Sequence, residues 1–156
     1  MKLSEALTEE HRYIDSGLEA FQAGLANQTL DQVALQDASL ALRRHIYLEE
    51  KFLFPPLRQG GLVMAIMVML KEHGSIWNLL AQLDAGSGDE TPDFAALNEI
   101  AEQLLKELDA HNKKEEPIIY AHADTDLEPE SERELQAFIA EGVLPEGWVC
   151  QGAQQE

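Results

Sequence analysis

The chain has 156 residues, 45% of them hydrophobic and 26% charged, enough for one domain with a sizeable core and too little for two. Against 11 Lys and Arg stand 29 Asp and Glu, a net charge of −18. That balance speaks against nucleic acid and anionic membranes as partners, because both demand basic patches.

The pattern predicts helices throughout. The first runs from about Leu3 or Thr8 to Ala26, with Ile14, Leu18, Phe21 and Leu25 at the four-three-four steps of one buried face. Asn27-Gln28-Thr29 reads as a turn. A second helix is expected from about Asp31 to Phe54, with Ala38, Leu42 and Phe52 inward and Pro55-Pro56 stopping it. The third runs from Leu62 to about Asp84 on Leu62, Ile66, Met69, Ile76, Leu80 and Leu83, and its apolar start suggests a well-buried helix. Ala85 to Glu90 reads as a loop. The fourth helix takes Thr91 as its cap and Pro92 as its first position, then buries Leu97, Ala101, Leu104, Leu108 and Ile118 to end near His122. A shorter helix follows from about Pro129 to Glu141, and the tail from Gln151 is expected to be loose.

The expected fold is all-α: an antiparallel up-down four-helix bundle with a short extra C-terminal helix. Residues 1–125 are expected to form the bundle and 126–156 the helix and tail that pack on it. The single cysteine, Cys150, cannot pair within the chain and reads as a bystander. The first residues lack an apolar signal core, and the longest apolar run, Leu62 to Leu70, is far short of a membrane span. A cytoplasmic protein is the expectation.

Polar residues interrupt the apolar stripe of every long helix. His11 falls between Leu7 and Ile14, His45 and Glu49 between Leu42 and Phe52, His73 between Met69 and Ile76, and His111 and Glu115 between Leu108 and Ile118. One buried histidine is ordinarily explained by a hydrogen bond. Four histidines and two glutamates facing inward from four helices point instead to metal, since buried carboxylates are costly without pairing or an ion. Residues four apart lie above one another on a helix, so His45 with Glu49, and His111 with Glu115, could ligate from one face.

The two halves repeat. Glu10-His11 pairs with Glu72-His73, and HIYLEEKFLFP from His45 pairs with HNKKEEPIIY from His111. A duplicated helical hairpin predicts two equivalent half-sites about a pseudo-two-fold axis, hence two ions. Glu10, Glu50, Glu72 and Glu116 adjoin these positions and could accept from the imidazole N–H groups, although most of them read as solvated surface carboxylates. Tyr13, Tyr47 and Trp77 read as packing residues, and His122 as structural or partly exposed. Pro117 is expected to kink or fray the fourth helix beside Glu115.

From about Leu7 to His122 the sequence resembles the hemerythrin-like, or HHE cation-binding, family. The signature is an isolated His in each odd helix and His-x-x-x-Glu in each even one. The resemblance implies a non-haem di-iron centre with His11, His45, Glu49, His73, His111 and Glu115 as ligands and the two glutamates as bridges. Zinc or manganese would suit the same donors. The oxygen carriers of the family have a further histidine where this chain has Trp77. That departure moves the expectation toward iron-sensing domains and iron-centre repair proteins, although the cysteine-bearing N-terminal segment of the latter is absent. The resemblance implies a protein that binds or senses oxygen, nitric oxide or iron. The alternative is a di-iron enzyme with ferroxidase, peroxidase or nitric-oxide-related activity, including iron-centre repair.

Overall fold

The structure is a computed structural model that describes residues 1–153, so residues 154–156 of the expected tail lie outside the described residues. Six α-helices and one π-helical turn form, with no strand among the described residues: α1 Leu3–Leu25, α2 Gln32–Leu48, the π-turn Glu49–Leu53, α3 Phe54–Arg58, α4 Val63–Ser87, α5 Phe94–Thr125 and α6 Pro129–Glu141. They make a helical bundle in which α1 packs along α2 and α5, α5 packs along α4, and α2 meets α4 less extensively. Gly17 permits the close approach of α1 to α2, since a Cβ there would sit 2.8 Å from Ala38 Cβ.

Two aspartates start two of the helices. Asp31 accepts the Ala34 N–H at 3.1 Å, and Asp93 accepts the Ala96 N–H at 3.0 Å. Each carboxylate satisfies a free amide at the positive end of the helix dipole. Asp93 therefore caps α5 in place of Thr91, and Pro92 precedes the helix instead of opening it.

Pro55 and Pro56 do not stop the second helix. The Phe54 N–H reaches back five residues to Glu49 O, and this wider turn delivers the prolines to the first positions of α3, where a missing N–H costs nothing. The inserted residue also rotates the face, so that Leu53 and Phe54 are buried and the expected Phe52 is only partly so. Pro117 lies within α5, which continues without fraying to Thr125. Beyond it the buried face is Ile119, Tyr120 and Ala123, while the expected Ile118 is 47% exposed. Burial passes from Glu115 to Ile119 and Ala123 by the ordinary helical step of four.

The core forms two apolar clusters. One holds Ile14 and Leu18 of α1, Leu42 and Ile46 of α2, Ile76 and Leu80 of α4, and Leu104 and Leu108 of α5. The other holds Leu3 and Leu7 of α1, Leu48, Leu53 and Phe54, Ile66 and Met69 of α4, and Ile119 and Tyr120 of α5, closed by Leu135 and Phe138 of α6. Arg44 fastens α6, donating to the carbonyls of Phe138, Ile139 and Gly142 while lying over the Phe138 ring.

Several surface and tail expectations change. The start of α4 is not wholly buried: Val63, Met64, Met67 and Val68 are exposed, as is Tyr13 of α1. Tyr47 and Trp77 do pack, both against Trp148. Cys150 is buried in the first cluster, and burial pushes its thiol up to about 11. Residues 151–153 are held down: a Cβ on Gly74 would lie 2.7 Å from the Gly152 carbonyl carbon, so α4 and this segment touch backbone to backbone. Two glycines facing each other make that contact sterically available.

Candidate metal centre

The six inward residues predicted from the sequence meet in one layer between the two apolar clusters, and none is more than 5% exposed. On each long helix the layer falls where the chain passes from one cluster to the other, as His11 does between Leu7 and Ile14. Atoms of His11, His45, Glu49 and Glu115 lie within 4.8 Å of one another, and so do atoms of Glu49, His73, His111 and Glu115. The two groups share both glutamates. Glu49 turns Oε2 to His45 Nε2 at 3.3 Å and Oε1 to His73 Nε2 at 3.1 Å. Glu115 turns Oε1 to His11 Nε2 at 3.2 Å and Oε2 to His111 Nε2 at 3.4 Å.

Behind each imidazole stands a second carboxylate. Nδ1 of His11 donates to Glu116 at 2.7 Å, His45 to Glu10 at 2.8 Å, His73 to Glu50 at 2.8 Å and His111 to Glu72 at 2.9 Å. These four glutamates are therefore not simply solvated surface groups. Each fixes the ring orientation and leaves Nε2 facing inward, the nitrogen a metal would take once its proton is displaced. The pattern follows the repeat: the first histidine of each half is backed by a Glu-Glu pair from the other half, and the second by the glutamate preceding the first. Lys114 adds an ion pair to Glu72.

The charges balance across this layer in the metal-free protein. Burial alone would raise the Glu49 carboxyl, yet His45 and His73 hold it well below its ordinary value. Burial and Glu49 would raise Glu115, but His111 and His11 hold it down. Burial opposes protonation of His73, yet Glu49 and Glu50 raise it to about 9. His45 is raised well above its ordinary value despite burial, by Glu49 and Glu10. Protons on His45, His73 and His111, all raised, thus offset the buried carboxylates where cations would otherwise do so.

The donor set fits a metal ion. Glu49 Oε1, His73 Nε2 and Glu115 Oε2 are buried without a hydrogen-bond partner, although His73 Nε2 and Glu49 Oε1 face each other at 3.1 Å. Buried polar atoms left so are costly unless an ion claims them. Imidazole nitrogen with carboxylate oxygen suits iron, manganese or zinc.

Sequence reasoning missed Tyr120. Its hydroxyl lies 2.9 Å from His11 Nε2, 2.9 Å from His45 Nε2, 2.6 Å from Glu49 Oε2 and 2.9 Å from Glu115 Oε1. Burial, then Glu115 and Glu49, push this hydroxyl well above its ordinary value. The repeat carried the signal, because Tyr120 aligns with Phe54. A small cavity adjoins the histidine tips, walled by Ile14, Leu42, Ile46, Ile76 and Leu108, with room for about one water-sized molecule. Asn112, whose Oδ1 has no partner, lines it too. His122 stands apart, partly exposed and bonded to Asp126 at 2.5 Å.

A family model described as the hemerythrin HHE cation binding domain matches residues 2–123. No curated protein and no solved structure matches the chain.

Proposed function

This chain belongs to the hemerythrin HHE cation-binding domain family, and from that premise we propose that it is a non-haem di-iron protein that binds or senses oxygen, nitric oxide or iron. The ligands in this reading are His11, His45, Glu49, His73, His111 and Glu115. One observation carries it: each of Glu49 and Glu115 directs one oxygen to each histidine pair, the arrangement of a carboxylate that bridges two ions. Iron, when bound, supplies reversible one-electron chemistry and affinity for diatomic ligands. The protein's part is to orient the donors, through Glu10, Glu50, Glu72 and Glu116, and to keep water scarce around them.

The apolar part of the cavity wall, Ile14, Leu42, Ile46, Ile76 and Leu108, suits a small uncharged ligand such as oxygen or nitric oxide. The acidic surface supports the expectation that nucleic acid is not a partner. No helix among the described residues is long and apolar enough to cross a membrane, and a cytoplasmic location is part of the proposal.

The same reading takes the long helices as an antiparallel up-down bundle. In support, α1 and α4 run from the Leu7–Met69 cluster toward the Leu18–Leu80 cluster, while α2 and α5 run the opposite way. Residues 1–125 form the metal-binding bundle in this proposal, and 126–156 the helix and tail packed on it.

Metal content per chain, measured by mass spectrometry on protein made with iron and without chelator, tests the proposal. About two irons per chain are expected from two donor groups sharing two bridges. Zinc or manganese in their place would keep the site and remove the oxygen chemistry, and absence of metal would sink the reading.

A further inference from the structure

We propose that Tyr120 is a seventh ligand: its phenolate oxygen binds the ion held by His11, His45, Glu49 and Glu115, which makes the two metal positions chemically unequal. The inference rests on the di-iron reading and deepens it.

The geometry sets the Tyr120 oxygen at a corner of the donor shell, not at its centre. Its distances to the four donors are 2.6 to 2.9 Å. The donors themselves stand nearly as close, with His11 to Glu115 at 3.2 Å and His45 to Glu49 at 3.3 Å. An oxygen standing in for the ion would be markedly nearer to each donor than the donors are to one another. Ligands bound at right angles, about 2.1 Å from one ion, lie about 3 Å apart. A phenolic oxygen at the apex of a square pyramid would lie about 3 Å from each of four base donors, with opposite base donors about 4.2 Å apart, and these four donors do lie within 4.8 Å of one another.

The repeat isolates what the hydroxyl adds. Phe54 follows His45 by the interval at which Tyr120 follows His111. Phe54 stacks on His73 with centroids 5.6 Å apart, as Tyr120 stacks on His11 at 5.3 Å. Both rings are 2% exposed or less. The ring is therefore common to both halves as packing, and only one half carries an oxygen. The orphaned atoms fall on the other side: His73 Nε2, and the Glu49 and Glu115 oxygens turned toward His73 and His111. One phenolic hydrogen can serve one of the four atoms around it, whereas a cation would serve all of them at once. On loading, the O–Fe bond replaces the O–H bond, and the proton leaves to solvent. The ion between His73 and His111 keeps fewer protein donors and more room for an outside ligand.

The test loads metal-free protein with ferrous salt, oxidises it with ferricyanide and records metal content, the visible spectrum and resonance Raman scattering. Wild type is expected to hold two irons and to show a tyrosinate-to-ferric charge-transfer band with phenolate vibrations. Y120F is expected to lose both signals, and F54Y to intensify the band by adding a second phenolate. Two irons with no phenolate signal in wild type overturn the inference and leave the di-iron reading standing. One iron without the signal, or no iron, overturns both, because the hydroxyl would then be filling the place of an ion. A phenolate signal that persists in Y120F also overturns the assignment to this residue.

Discussion

Glu50 Oε2 accepts the Nδ1–H of His73 at 2.8 Å, and its other oxygen accepts the Gln151 N–H at 3.0 Å. Glu50 is the second residue of the π-turn, which lets neighbouring glutamates both point inward: Glu49 into the centre and Glu50 behind a histidine. The second half has the same Glu-Glu pair followed by Pro117, which also removes a ladder hydrogen bond. Each half thus departs from the regular hydrogen-bond ladder beside its two carboxylates, the first at them and the second directly after, by different means.

Glu50→Ala should leave the fold intact and weaken metal binding by about 10- to 100-fold, the usual cost of removing the partner that orients a ligating histidine. Competition with a chelator of known affinity measures this. An unchanged affinity would mean that the Glu50 contact does not orient His73.

His45→Ala and His111→Ala should each lower metal content and stability together. Each leaves a buried glutamate without a neighbour at 3.3 or 3.4 Å, a loss of about 3–5 kcal/mol in the metal-free protein. Urea unfolding and metal analysis on the same samples give the two readings. Full metal stoichiometry in both variants would refute the ligand assignment.

The metal-free protein should be most stable on the acid side of neutrality. His73 is raised from 6.5 to about 9, so its stabilising contribution is complete below pH 6.5 and disappears as pH rises through about 9. Glu49 is lowered from 4.5, so its contribution is present above pH 4.5 and is lost as pH falls through the lower folded value. Melting temperature should therefore fall between pH 6.5 and 9 without metal. Metal affinity should rise over the same interval, because binding displaces these protons. A flat melting profile in that interval would contradict the charge arrangement described for the layer.

Gly74→Ala should push the tail off α4, since the added Cβ would meet the Gly152 carbonyl carbon at 2.7 Å. Overpacking of this kind costs about 1–3 kcal/mol, partly offset by the better helix propensity of alanine, about 1 kcal/mol. Hydrogen exchange at the Gln151 amide should accelerate, since its bond to Glu50 would break. Retained protection there would show that the tail is held by other contacts.

Much of the centre was legible because histidine and glutamate at stripe positions contradict the pattern around them, and six such contradictions at matched intervals have few explanations. The helices around Pro55 and Pro117 were less legible. Proline forbids a hydrogen bond but does not say whether a wider turn will carry the chain past the gap, and that turn decided Leu53 over Phe52. Tyr120 was hidden because the buried face was expected to continue at Ile118, whereas it continues at Ile119 and Tyr120. The glutamates behind the histidines were legible as possible imidazole partners, but surface charge looked the commoner role because the rings they hold lie on other helices, far away in sequence. Residues 151–153 were expected to be loose and are not, because two glycines carry no hydrophobic signal for a contact made between backbones.

The bond from Gln151 to Glu50 also sets an order of events. During synthesis all six inward histidines and glutamates, and Glu50 with them, leave the ribosome before Gln151 does. The nascent bundle can gather its inward side chains while the outer oxygen of Glu50 is still open to water. Gln151 then takes that oxygen, and Gly152 settles on Gly74 of α4. Gathering the inward side chains and sealing the carboxylate behind His73 are thus separate events in the making of the fold.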